Sequence, residues 1–393
     1  MRQAKLVLLS MLLLSNVAAF GDEVDDSARR EQQRQAAFRA GFGIIVDSLN
    51  NNSFNLFVSA IDRDDFFARV FGLRLIDQRV KKDFTAQMQS QFPSFIQSAF
   101  GDSKDSIKAV LLGVDSLGDR GRAVVRFDLG DLQYSYHAYD LRLDAKDRVI
   151  VIDWIDYLQG ERFTDSVGNS LVMVAPSKQA ARKLIENKNV KDADMFQFGE
   201  LLKAARDQDA ERYVRIINSL TPELQRERIV VLTSVQLTKR SRSRRLVRTA
   251  LVQMAKYYPF DPLYSLMLLD YYVPVQKFED ALTALRATYE QLGVDDAAME
   301  ARISAISLAM GNSADASSYA ERAIELEPGL ELAWWSALRA RVAAENNTGA
   351  IEALEKLETS FGHKLGRAEL ERDKSFASLL ASPEFAAWAD GHP

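Results

Sequence analysis

The second half of the chain repeats itself. The stretches "DAERYVRIINSLTP", "FEDALTALRATYEQLG", "SADASSYAERAIELEP" and "NTGAIEALEKLETSFG" each begin at a polar turn, place a small residue first and continue with apolar residues three or four apart. The small residues are Ala210, Ala281, Ala316 and Ala350, and Val247 takes the corresponding place in a weaker fifth copy. A unit of close to ~34 residues cannot bury its apolar face alone, so neighbours must stack to make a continuous core. The pattern predicts pairs of antiparallel helices, with the small residue where the two cross closely. Pro222, Pro259 and Pro328 are expected to end second helices, because proline has no N–H to give the preceding turn. In "AERAIELEPGLELAWW", Ala320 and Ala323 then lie on the packed face of a second helix. Pro328 stops that helix, and Trp334 and Trp335 open the first helix of the next unit.

Over about Ala193 to Gly362 these residues resemble the tetratricopeptide family, best in the last three copies. Glycine in the turn survives only at Gly311, and the family's usual aromatic and Leu-Gly positions are poorly kept. The resemblance implies an all-α solenoid (residues 193–362) whose first helices line a concave groove. The matching positions are Gln236, Lys239, Arg240, Asp270, Trp335 and Arg339, which the resemblance assigns to binding a protein or peptide partner. Trp335 has a second reading, as packing against the adjacent unit. Beyond the last copy, "DKSFASLLASPEFAAW" is expected to cap the array within residues 363–393, laying Phe376, Leu379, Phe385 and Trp388 over its end.

The first half has a different rhythm. Helical spacing governs "AAFRAGFGIIVDSL", "FNLFVSAIDRDDFFARVFGLRLI" and "KDFTAQMQSQFPSFIQSAF", where Pro93 should kink or divide the helix. From Ile107 β-branched and aromatic residues take over in "IKAVLLGVDSL", "GRAVVRFDLG", "LQYSYHAYDLRL" and "RVIVIDWIDYL", joined by links short enough for hairpins. In the third run Leu132, Tyr134, Tyr136 and Ala138 alternate with Gln133, Ser135 and His137, so that strand should have one half-solvated face. The fourth run is apolar on both faces, which predicts a central strand. The expectation is an α+β domain over residues 47–174, a four-stranded antiparallel meander packed on the preceding helices. Residues 20–46 form a helical or flexible lead, and 175–192 a linker helix. From Thr164 onward no strand pattern returns, although "IVVLTSV" near Ile229 could mislead. The first half resembles the cystatin-like cone shared with nuclear-transport-factor-two-like domains. The run "YHAYDLRLDAKDRVIVIDWIDYLQGE" is similar to segments of exported bacterial proteins that also carry tetratricopeptide repeats, a resemblance that implies no activity.

The N-terminus has the design of a secretory signal. "MRQAK" is a basic head, "LVLLSMLLLSNVA" is too short to span a bilayer, and small residues at Val17 and Ala19 suit cleavage after Ala19. A buried N-terminal helix would instead carry polar residues on one face. The chain has no cysteine, which excludes a disulfide framework, a thiol nucleophile and a zinc–thiolate site. An exported protein of this kind fits a bacterial periplasm. Its net charge of -5 argues against nucleic acid as principal partner. No later apolar stretch is long enough for a membrane span.

Chemistry is sparsely marked. His137 with Asp140, Asp153 and Asp156 is the one acid–base constellation, and its plainer reading is a polar residue on a half-solvated strand with aspartates at strand edges. With three histidines in all, and His363 and His392 in or near loops, a histidine metal site is not expected. No glycine-rich phosphate loop, nucleophile elbow or cofactor motif appears. Tyr134, Tyr136, Tyr139, Trp154 and Tyr157 could line a pocket beside His137, or fill the space between sheet and helices. "TKRSRSRRLVR", Thr238 to Arg248, could bind phosphate, nucleic acid or an acidic peptide, or be a solvated turn. Two functions follow. The first is a non-enzymatic exported scaffold that holds a protein or peptide in the repeat groove, its α+β domain docking a second partner or a second copy. The other is a small-ligand carrier or enzyme with its site in the cone.

Overall fold

A computed structural model describes residues 28–72, 74–100 and 108–390 of the 393. The expected signal sequence and cleavage after Ala19, and His392, lie outside the described residues. The chain opens with helix α1 (28–50), followed by α2 (Asn55–Ser59), α3 (Arg63–Phe71) and α4 (Gln78–Ser98). Helix α1 runs across the expected boundary at residue 46, because Phe38, Phe42, Ile45, Val46 and Leu49 form one apolar stripe buried with the sheet. Pro93 neither divides nor ends α4. It is exposed, as is Gln89 one turn earlier, so the carbonyl left without an N–H can be hydrated.

The sheet is an antiparallel meander in the order β1 (Lys108–Leu117), β2 (Arg120–Asp128), β3 (Tyr134–Leu143), β4 (Val149–Asp156) and β5 (Glu161–Arg162). The four long strands follow the sequence pattern, whereas β5 has two residues and left no periodic signal. β4 is not central. It lies next to last, bordered by β5 and by one bridge to Ile61; Val149, Val151 and Trp154 pack with α3 and α5 (Phe163–Val174), while Ile155 packs against the second half of the chain. The middle strand is β3, and both its faces are buried. Tyr139 and Leu141 face the N-terminal helices with Ala123, Val125, Val151 and Trp154. Tyr134, Tyr136 and Ala138 face the second half of the chain. Ser135 and His137, expected on a half-solvated face, are therefore buried too.

After α5 come α6 (Lys178–Lys183), in the expected linker, and a series of helices that pack in consecutive pairs. These are α7 (Met195–Arg206) with α8 (Ala210–Ile217), and, after the short α9 (Pro222–Gln225), α10 (Arg228–Arg240) with α11 (Arg244–Tyr257). Next are α12 (Ser265–Tyr272) with α13 (Phe278–Leu292), α14 (Ala297–Ala309) with α15 (Ser313–Leu326), and α16 (Glu331–Ala343) with α17 (Asn347–Phe361). Ala281, Ala316 and Ala350 are fully buried in second helices. The helices approach closely enough there for the Ser304 hydroxyl to donate to the Ala316 carbonyl at 2.7 Å. The first unit needs a correction. Each turn between paired helices contains a left-handed residue, Gln208, Arg242, Gln276, Gly311 or Glu345. Counting from it, the residue matching Val247, Ala281, Ala316 and Ala350 is Tyr213, while Ala210 merely begins its helix. Tyr213 is buried and turns its hydroxyl to the Val230 carbonyl, so a large residue holds the place that alanine takes in the last three pairs. Pro222 also departs from expectation. It starts α9 rather than ending α8, whereas Pro259 and Pro328 stand just beyond the C-caps of α11 and α15, Tyr258 and Glu327.

Helices α18 (Arg367–Leu370), α19 (Ala377–Leu380) and α20 (Pro383–Ala389) close the C-terminal end. Phe376, Leu379, Phe385 and Trp388 bury there against Trp334, Leu338 and Leu357, as the cap requires.

Candidate functional site

The sheet lies on the first helices of the helical half. Gln236 of α10 donates to the Gln159 carbonyl at 3.0 Å and to Glu161 at 3.2 Å, and Arg302 of α14 donates to the Tyr134 carbonyl at 3.3 Å. Gly160 makes the approach feasible. Its φ is +73°, and a Cβ there would stand 2.6 Å from Met267 and 2.8 Å from Tyr264. The reason for the docking is apolar: Tyr134, Tyr136, Ala138 and Tyr157 need cover, and Leu266, Met267 and Ile306 supply it. The first-helix face that the resemblance assigned to a partner is thus taken, along its middle, by the protein's own sheet.

One of the openings left at the edges of this contact is a cleft of about 490 Å³. One wall is the turn between β2 and β3. Gly130, Asp131 and Leu132 all have positive φ, and the tight reversal leaves Leu129 51% exposed. Leu158 completes that wall, held by its N–H donating to Asp156 at 2.7 Å. The other wall is helical, from Leu266, Leu269 and Val273 on one pair to Ala305, Ile306 and Ala309 on the next. Lys239 and Asp270 form an ion pair of 3.2 Å on the rim. Tyr134 lies between the guanidiniums of Arg126 and Arg302, at 5.3 Å and 5.6 Å from its ring centre. Burial, reinforced by the Asp128 carboxylate, pushes its hydroxyl up to about 12, so it stays a neutral donor. The cleft can hold apolar side chains and offers cationic and hydrogen-bonding groups at its border.

Three of the residues singled out from sequence, Tyr134, Lys239 and Asp270, meet in this cleft. Gln236 serves the docking of the sheet, and Arg240 is exposed at the end of α10. Trp335 and Arg339 form a separate cluster. The Trp335 indole donates to Glu331 at 3.0 Å and its ring lies 5.3 Å from that of His363, while Arg339 stacks over it at 5.7 Å and reaches Asp373 at 3.8 Å. Half-buried Trp335 thus packs against the loop after α17. Leu129, Leu158 and Arg302 were missed in the sequence, where nothing marks a turn leucine as facing a helix 170 or so residues away.

Of the two readings of Tyr136, His137 and Trp154, a pocket or a filled core, the packing is that of the core. Trp154 stacks on Phe163 at 4.2 Å, Phe127 lies 4.6 Å from His137, and Tyr136 is buried under the helices. The four acid–base candidates separate into two groups. His137 accepts or donates at Tyr139 (2.9 Å) and stands 3.6 Å from Asp156. Burial raises the pKa of Asp156, but His137 and the Leu158 and Gln159 N–H groups outweigh it and leave the carboxyl below its ordinary value. Asp140 pairs instead with Arg162. Asp153 accepts from Thr164, and burial raises it. No protein-family model matches this chain, and no curated protein matches it significantly, so its function is argued from its own residues.

Proposed function

We propose that the protein is a non-enzymatic exported scaffold that holds an extended segment of a partner protein in the cleft between the β2–β3 turn and helices α12 and α14. The observation that carries this reading is the exposed apolar lining, Leu129 at 51%, Val273 at 41% and Leu158 at 37%, converging with Leu269 and Ile306 on one concave site. A preformed frame of this kind lowers the ordering cost of binding a flexible segment. Lys239, Asp270 and Arg302 at the border suit a segment whose apolar residues alternate with polar ones. The recurrence of left-handed turns and buried alanines at intervals of close to ~34 residues supports a tetratricopeptide-like array for the helical half. Helices against one face of an antiparallel meander support the cystatin-like reading of the first half. The basic head and short apolar run of residues 1–19 support export to a periplasm.

The test is site-specific photo-crosslinking in living cells, with the photoreactive residue at Val273 or, as control, at exposed Thr283 on α13. A discrete adduct from Val273 only is expected, and Leu129→Glu should abolish it with the fold intact by circular dichroism. Identical adducts from both positions, or none from Val273, would show that the cleft holds no partner.

A further inference from the structure

We propose that the turn between α10 and α11 docks the protein on an anionic phospholipid membrane. Thr238 to Arg248 contains Lys239, Arg240, Arg242, Arg244, Arg245 and Arg248 and no acidic residue. Two of the six charges are answered, Lys239 by Asp270 at 3.2 Å and Arg245 by Glu211 at 2.9 Å. Arg240, Arg242, Arg244 and Arg248 are exposed and make no ion pair among the described residues. Such crowding is costly in an isolated protein, since the like charges repel one another. Arg244 also lies in the first turn of α11, which has no acidic residue, at the end of a helix where positive charge is disfavoured. The chain is acidic as a whole, so this patch is an exception to its own surface.

The surroundings of the arginines point to a lipid surface. Arg244, Arg245 and Arg248 ring a hollow of about 550 Å³ with Thr249 and Val252, and Val252 is 44% exposed. Beside it, Arg242, Arg244 and Arg248 border a groove of about 810 Å³ whose inner wall is Val247, Leu251, Pro274 and Val275. Guanidiniums bind phosphate oxygens in pairs, and neighbouring valines can settle among headgroups. An acidic peptide lying in the groove would meet the carboxylate of Asp270, which lines it, whereas lipid phosphates need touch only the outer arginines. No helix among the described residues is long and apolar enough to cross a membrane. Each basic residue near an anionic bilayer raises partitioning roughly fivefold, and the acidic remainder of the surface would turn this face inward. The proposal stands whether or not the neighbouring cleft holds a partner.

The experiment is co-sedimentation of the full chain with vesicles of phosphatidylcholine, with and without phosphatidylglycerol. Wild type and an Arg242→Glu/Arg244→Glu/Arg248→Glu variant carry the same N-terminus, so any contribution from that apolar run cancels. Wild type should prefer the anionic vesicles, and the variant should lose that preference by at least about tenfold, as should wild type in high salt. If the triple variant is misfolded by circular dichroism, Arg244→Gln/Arg248→Gln replaces it, with a smaller loss expected. Equal binding to both vesicles, or equal binding by wild type and folded variant, overturns the proposal. So does arginine-dependent binding of labelled polyglutamate without any preference for anionic vesicles. A Leu158→Asp variant, altered only in the cleft, should retain vesicle binding.

Discussion

The turns between paired helices depend on single residues held at positive φ: Gln208 at 56°, Arg242 at 55°, Gln276 at 58°, Gly311 at 80° and Glu345 at 57°. Each lies two positions before its second helix, where a side chain crowds the following carbonyl. Only Gly311 escapes that crowding. Gly311→Ala should therefore cost about 1 kcal/mol, while Glu345→Gly should be neutral to stabilising by about 0.5 kcal/mol, because relief of strain outweighs added chain entropy. Thermal unfolding of the two variants checks this, and a Gly311→Ala protein as stable as wild type would contradict it. A second prediction concerns Glu161, whose carboxyl burial raises above 4.5, with Gln236 opposing. Below pH 4.5 it is protonated whether folded or unfolded. Between 4.5 and the higher folded value the unfolded chain ionises while the native protein keeps its proton, so stability falls as pH rises through that window. Glu161→Gln should flatten that part of the stability–pH curve, and an unaltered curve would exclude the carboxyl as its source.

At the scale of elements, local patterns carried far. The four strands, the helical nature of "IVVLTSV" within α10 and the cap residues were all legible, because period and turn chemistry are properties of neighbouring residues. β5 was not, since two residues have no period. The first repeat was misaligned because Ala210 has the right chemistry two positions from a left-handed residue that sequence does not display. Close crossing at Ala316 gives a direct test. Ala316→Arg should destabilise by at least about 3 kcal/mol, since it overpacks the contact with Ser304 and buries a charge, whereas Ala316→Ser should cost less than about 1.5 kcal/mol. Similar melting temperatures for the two would show that the crossing is not tight.

For the whole molecule, one buried network joins the halves. Arg126 of β2 pairs with Asp296 and, at 2.7 Å, with Glu327, while the Tyr136 hydroxyl donates to Asp296 at 2.6 Å. Asp296 also caps α14 by accepting from the Met299 N–H at 2.9 Å. Removing this carboxylate leaves a buried guanidinium with one exposed-side partner, so Asp296→Ala should cost about 3–5 kcal/mol. Replacing the cation as well, Arg126→Met with Asp296→Ala, should recover much of that loss. A double variant no better than the single one would mean that the Asp296 cap, not the ion pair, sets the cost. Because the apolar cluster containing Tyr136 and Met267 is shared, sheet and helices should unfold in one transition.

Sequence by itself determined where the four long strands and most of the helices fall, and that the last three helix pairs need a small residue at their crossing. Those features follow from side-chain period and backbone preference over a few positions. Only the tertiary structure decided that both faces of β3 are covered, that the aromatic cone is filled, and that the sheet takes the middle of the expected groove and leaves a cleft beside Lys239 and Asp270. Such outcomes depend on which surfaces meet, as when Arg126 finds Asp296 across 170 residues. An apolar strand face needs cover, but nothing local says whether helix, partner or ligand will provide it.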